Sequence, residues 1–340
     1  MEFLSEYGLF LAKAVTIVIA ILAVVGGILA LSMRQRHGPK EHLEVVSLND
    51  KYDAMLHTLE AATLPKAALK ERKKAEKKEK KAAKKKSKTD ADAERKRLYV
   101  LNFHGDIRAS AVNHMREEIS AILTLATPAD EVLVRLESGG GLVHSYGLAA
   151  SQLQRIRDHG IPLTATVDKV AASGGYMMAC VADKILAAPF AILGSIGVLA
   201  QIPNFHNLLK KNDIDFEQLS AGEYKRTLTL FGENTDKARA KMQQELEETH
   251  QLFKEYVGSQ RPGLDIDQVA TGEHWLGSRA RELGLVDELR TSDDYLMQAR
   301  ENADILEVKY IGKQNLIEKF LSAQSRSNES LARDLAQPWL

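Results

Sequence analysis

Between Leu98 and Ala188, short runs rich in β-branched residues alternate with helix-patterned segments, and this alternation constrains the fold more than any other feature. Leu98–Phe103 (LYVLNF), Glu131–Leu136 (EVLVRL), Leu163–Val167 and Lys184–Ala188 read as strands. Asn113–Leu125 has the apolar spacing of a helix, a second helix is expected from His144 to about Asp158, and a third follows Ser173. Strands that alternate with helices are joined by right-handed crossovers, so the expected body is α/β. In such a body the strand-to-helix turns present the working residues. Two of those turns are glycine-rich, at 139–141 and 174–175.

The second turn carries the chemistry. In Val170-Ala171-Ala172-Ser173-Gly174-Gly175-Tyr176-Met177-Met178-Ala179 a single serine precedes two glycines and an apolar helical pattern. A hydroxyl at a helix N-terminus suits a nucleophile, because neighbouring backbone N–H groups and the helix dipole favour a developing oxyanion. A plainer reading treats Gly-Gly as a tight turn that permits close packing. Two N–H-rich turns aimed at one point would form an oxyanion hole, and this links 139–141 to 174–175.

Serine needs a base to take its proton. Of the histidines, His144 is best placed, opening a helix beside the first glycine turn, yet an exposed helix-end histidine is the more ordinary reading. A neutral lysine is the other option, and Gly222-Glu223-Tyr224-Lys225-Arg226-Thr227 sets one in a turn-like segment. Spacing alone does not separate Lys225 from a surface charge.

Charge divides the chain into two parts. Residues 1–97 hold 21 Lys and Arg against 13 Asp and Glu, and the remainder holds 25 against 33. A basic leader therefore precedes an acidic body. Residues 14–33 contain no charge over 20 positions, enough at about 1.5 Å per residue to span a hydrocarbon core. Glu2 and Glu6 in the preceding region, and the length of the apolar run, favour a retained anchor over a cleaved signal peptide. Residues 41–64 show helical periodicity and are expected to form a short helix near the bilayer. Residues 66–97, with 16 basic residues against six acids, read as a solvated tether with incidental contact to lipid headgroups. Without interleaved aromatics, no nucleic-acid partner is expected. A second uncharged run, 185–202, is broken by Pro189, Gly194 and Gly197 and reads as buried strands and turns. Residues 235–257 read as a long polar helix on the outside or at a subunit contact. Cys180 is the single cysteine, which excludes an internal disulfide and any cysteine-based metal site.

Taken together, Glu137-Ser138-Gly139-Gly140-Gly141, Ala171-Ala172-Ser173-Gly174-Gly175-Tyr176, Gly194-Ser195-Ile196-Gly197-Val198, Gly222-Glu223-Tyr224-Lys225 and Gly284-Leu285-Val286-Asp287-Glu288 closely resemble the signal peptide peptidase A family. These are serine-lysine proteases of the ClpP/crotonase superfamily, and the N-terminal apolar run is similar to that of the membrane-anchored bacterial branch. The resemblance runs from Met1 to about residue 310. It implies a superhelix of repeated ββα units, with the chain divided into an anchor (1–35), a juxtamembrane helix and Lys-rich linker (36–97), a peptidase domain (98–315) and a tail (316–340). It implies Ser173 as nucleophile, Lys225 as general base, Ser195 as the residue that orients the lysine, and Gly140 and Gly174 as oxyanion-hole donors. No metal or cofactor is implied. Peptides, signal-peptide remnants among them, are the implied substrates. The implied assembly is a homo-oligomer in which serine and lysine can come from different copies.

One departure concerns the hole. The family pattern Ser-Pro-Gly-Gly stands here as Ser138-Gly139-Gly140-Gly141, and glycine in place of proline loosens the turn before Gly140. Two other classes remain in competition: a crotonase-like enzyme acting on acyl thioesters, which would not need Ser173, and a non-catalytic membrane scaffold. A bacterial inner membrane is the expected location. Arg34, Arg36 and Lys40 after the span favour a body on the cytoplasmic side, whereas the resemblance favours the opposite face. The sequence leaves the face open.

Overall fold

The computed structural model describes residues 8, 13, 15–22, 41–72, 74, 75, 78 and 95–312. The tail at 316–340 and most of the apolar run and Lys-rich linker lie outside the described residues. Within them, 15–22 and 66–72 are helical, and no described helix is long and apolar enough to cross a membrane. The chain divides into two compact units. One takes in the residues before Glu44 and after Lys309, and the other is Glu44–Lys309.

Among the described residues, ten strands form the sheet. They are β1 (His42–Ser47), β2 (Lys96–Gly105), β3 (Glu131–Ser138), β4 (Leu163–Val167), β5 (Val170–Ala172), β6 (Lys184–Ala187), β7 (Ile192–Gly194), β8 (His274–Leu276), β9 (Glu288–Leu289) and β10 (Ala303–Ile311). The main path runs β1-β10-β2-β3-β4-β6-β9. At β3 the sheet forks, because β5 and β7 continue from its end as a second limb that β8 closes antiparallel. The fork follows from the break at Asp168 and Lys169 between β4 and β5: Thr164 to Val167 pair with β6, and Val170 to Ala172 pair with β7. The architecture is mixed α/β.

Central strands read as continuous apolar runs because both faces are covered. Val132, Leu133 and Val134 on β3, and Leu163, Ala165 and Val167 on β4, are all fully buried. The Val112–Leu123 helix buries Val112, Met115, Ile119 and Ile122, and the Val143–Asp158 helix buries Tyr146, Ala149, Ala150, Leu153 and Ile156. Both follow the i, i+3/i+4 spacing read from the sequence. The uncharged run at 185–202 is core as expected only in part: Ile185, Leu186, Leu193 and Ile196 are fully buried, whereas Phe190, Leu199 and Ile202 are exposed. Asp236–Gln260 is a long helix that buries only Phe253 and Val257.

The leader differs from its sequence reading. His42–Ser47 is a strand rather than the start of a helix, and Leu48–Thr63 is a helix capped by the Ser47 hydroxyl, which accepts from Asp50 N. That helix packs into the body. Leu48 is buried with Leu98, Val100, Leu133, Leu296 and Ile305, and the Asn49 amide bonds both Ala303 O and Ile305 N. Helical periodicity at 41–64 could not reveal this, because the covering surface comes from β10, some 250 residues later in the chain.

Candidate active site

Four parallel strand ends meet at one edge. Gly105 on β2 is in register with Ser138 on β3, Ser138 with Ala171 on β5, and Ala172 with Gly194 on β7. The chain therefore leaves the sheet at Ser138, Ser173 and Ser195 side by side. This brings together the two glycine turns that lie more than thirty residues apart in sequence.

Ser173 sits at φ 53°, ψ −119°, a conformation that side-chain-bearing residues rarely adopt, at a strain of about 1–3 kcal/mol. Its backbone is clamped on both sides: its N–H donates to Gly194 O at 2.8 Å, and its carbonyl accepts from Met177 N at 2.9 Å. Ser195 is held the same way at φ 50°, with its N–H donating to Glu273 O at 2.7 Å and its carbonyl accepting from Gly197 N. Two strained serines thus occupy equivalent places on adjacent strands. Although Ser173 stands at a helix N-cap, its hydroxyl makes no capping hydrogen bond. Ser173 is half-buried, and among the described residues its hydroxyl has no hydrogen-bond partner.

Gly140 and Gly174 flank it. A Cβ built on Gly140, where φ is +90°, would lie 2.7 Å from Ser173 Cβ and 2.8 Å from Gly174 N, so no other residue fits. Gly174 opens the helix Gly174–Ala179, and its N–H has no intrahelical acceptor. A Cβ on Gly174 would overlap the Tyr146 ring, and one on Gly105 would overlap the hydroxyls of Ser138 and Tyr146.

The Gly140 N–H is occupied. It donates to Ser138 Oγ at 3.1 Å, and Ser138 Oγ lies 2.5 Å from Tyr146 Oη, which in turn donates to Asp106 O at 2.8 Å. Ser138 and Tyr146 are 2 % and 0 % exposed. Burial pushes the Tyr146 phenol above its ordinary range, against the hydrogen bond from Ser138, so it keeps its proton. No sequence pattern assigns a role to Ser138, Tyr146 or Asp106. Ser138 stood within a quoted motif, whereas Tyr146 looks like any core aromatic on a helix.

Lys225 makes no hydrogen bond or ion pair with these residues. It is exposed, in an irregular stretch, its backbone N–H donating to Gly222 O at 3.2 Å. Among the described residues its ammonium has neither a hydrogen bond nor an ion pair. Of the histidines, His144 is exposed and makes no hydrogen bond, and His250 is engaged by Ile196 O. Neither meets Ser173. No group of three or more His, Cys, Asp or Glu that could hold a metal ion occurs among the described residues.

Sequence comparison now adds the family. Residues 2–153 match the model described as Peptidase family S49 N-terminal, and residues 155–306 match Peptidase family S49. The chain belongs to peptidase family S49. It is 54% identical over 327 residues to "Probable protease SohB" of Haemophilus influenzae, covering 94% of this chain and 92% of that protein. It is 49% identical over 304 residues to "Probable protease SohB" of Buchnera aphidicola subsp. Schlechtendalia chinensis, covering 87% and 99%. These values bear out the resemblance carried by the glycine and serine motifs. Among solved structures, a membrane-bound stomatin-specific protease with a substrate peptide aligns over 69% of this chain and 100% of its own, at 14% identity. The TM-score is 0.42. As a member of family S49 the chain is a protease.

Proposed function

We propose that this chain is a serine endopeptidase with Ser173 as nucleophile and Lys225 as general base. The observation that carries the reading is the strained, uncommitted Ser173 with Gly140 and Gly174 packed against it. Ser173 Oγ attacks the peptide carbonyl while Lys225 takes its proton. The N–H groups of Gly140 and Gly174 hold the oxyanion, the lysine ammonium then protonates the leaving amine, and water hydrolyses the acyl-enzyme. Ser195, beside Ser173 on the adjacent strand end, orients the lysine amine. The forked parallel sheet is in keeping with a ClpP/crotonase-like frame.

A lysine acts as a base only when neutral, and burial away from water favours that state. Lys225 is exposed in the single chain, so a second surface must cover it. The flanking segment supplies the reason one would bind: Leu199, Leu208, Phe216, Leu219 and Phe231 are all exposed, and Leu219 is 96 % so. Apolar exposure on this scale marks an association surface. The active form is therefore a homo-oligomer in which Lys225 of one copy serves Ser173 of the next. The apolar run 14–33 anchors it in a bacterial inner membrane, and its substrates are peptides, signal-peptide remnants among them.

A serine-reactive fluorophosphonate tests the dyad. Labelling is expected on Ser173 of the full-length protein, absent in Ser173→Ala and reduced at least about a hundredfold in rate in Lys225→Ala. Equal labelling of the Lys225→Ala protein would remove lysine from the mechanism.

A further inference from the structure

Tyrosine carries one hydroxyl proton, and that of Tyr146 goes to Asp106 O. The short contact between Ser138 Oγ and Tyr146 Oη can then have only one direction, with Ser138 donating. Ser138 Oγ keeps a lone pair for the Gly140 N–H. Three hydrogen bonds therefore run one way, from Gly140 to Ser138 to Tyr146 to Asp106. The same tyrosine's ring is the surface against which Gly174 packs without a Cβ. One buried side chain thus touches the supports of both glycine turns that flank Ser173.

We propose that Tyr146, acting through Ser138, is the positioning residue that sets the aim of the oxyanion contacts. The inference rests on the reading of Ser173 as nucleophile. With its hydroxyl held as a donor to Tyr146, Ser138 presents a fixed acceptor to Gly140 and locks the turn at φ +90°, in contact with Ser173. A charged oxyanion is the stronger acceptor and shares the same N–H in a three-centre bond, while Ser138 keeps the turn in place. The contact then strengthens only as charge develops, which favours the transition state over the bound substrate.

Removing the phenol oxygen strips Ser138 of its acceptor and frees its hydroxyl to rotate. Steady-state kinetics on a peptide substrate, run on the full-length protein, test this with Tyr146→Phe, Ser138→Ala and the double variant. Tyr146→Phe is expected to lower kcat about tenfold or more with KM within about twofold, a smaller loss than deleting a hole donor outright. Ser138→Ala is expected to lose a similar factor, and the double variant no more than the larger single loss, because the pair acts as one unit. Tyr295→Phe is the control for stability, since it too removes a partly buried hydroxyl, one bonded to Glu131 at the far end of β3. It is expected to keep full kcat. Unchanged kcat in Tyr146→Phe, losses that multiply in the double variant, or a drop matched by Tyr295→Phe would each overturn the proposal. The parallel Ser173→Ala measurement separates the levels: full activity there removes the nucleophile, whereas an inactive Ser173→Ala beside a fully active Tyr146→Phe removes only the positioning role.

Discussion

The edge of the sheet that carries Ser173 and the segment that carries Lys225 are built on opposite terms. At the first, four strand ends, two clamped serines and a buried tyrosine leave almost no freedom, and a Cβ on Gly140, Gly174 or Gly105 would collide with a neighbour. At the second, residues 199–231 hold one short helix, His206–Lys211, and expose leucines and phenylalanines to water. On the proposed reading, one chain completes the nucleophile and its electrostatic surroundings, and association completes the base. A preorganised oxyanion site has to be rigid before substrate arrives. The base needs only to be buried at the moment of use, and a second copy can do that.

The largest expected effect bears directly on this division. Ser173→Ala and Lys225→Ala are each expected to lower kcat by about a thousandfold or more, since members of a catalytic unit fail together. Dissociating, mixing and reassembling the two inactive proteins is expected to restore a measurable fraction of activity, from sites that pair an intact serine with an intact lysine. Mixed assemblies that stay inactive would place the base within the nucleophile's own chain.

A smaller effect sharpens the rigid side. Gly140→Ala puts a methyl group 2.7 Å from Ser173 Cβ at a φ of +90°, so the turn must shift. A kcat loss of about a hundredfold is expected, with assembly by light scattering unchanged. Assembly that fell along with kcat would mean that the two regions are not independent.

The smallest effect concerns the opposite end of β3. Burial alone would raise the Asp130 carboxyl, but hydrogen bonds from Arg97 and Thr127 outweigh it and hold the pKa at about 2. A folded-state value below the unfolded one, about 3.9, stabilises the fold above pH 4, and the contribution is lost as pH falls toward 2. It is worth about 2 kcal/mol. Chemical denaturation of Asp130→Asn is expected to show that loss at pH 7 and a flatter stability profile between pH 4 and 2. Its transition should not depend on protein concentration if the body's stability is separate from association. An unchanged pH profile would remove Asp130 as the cause.

Sequence reading and structure agree where local pattern and burial share one origin. The strand at 163–167 appears at the bounds read from the sequence, and the helices at Val112–Leu123 and Val143–Asp158 shift by one or two residues. The serine and glycine motifs were legible as types, because a nucleophile in a strained turn restricts the residues around it. Tyr146 was not legible. Its periodicity is that of a core residue, and its role comes from a carbonyl at Asp106 and a hydroxyl at Ser138 on other elements. The burial of the 48–63 helix was not legible for the same reason, since it depends on β10.

What the sequence determined by itself is the α/β pattern, the serine-glycine turn and the family, all written in residue types at short spacing. Only the tertiary structure decided that Ser138, Ser173 and Ser195 stand abreast, that the Gly140 N–H is already spoken for, and that Lys225 stays in water. The physical reason is that register between strands and the exposure of a loop are set by contacts distant along the chain, and no local pattern encodes them.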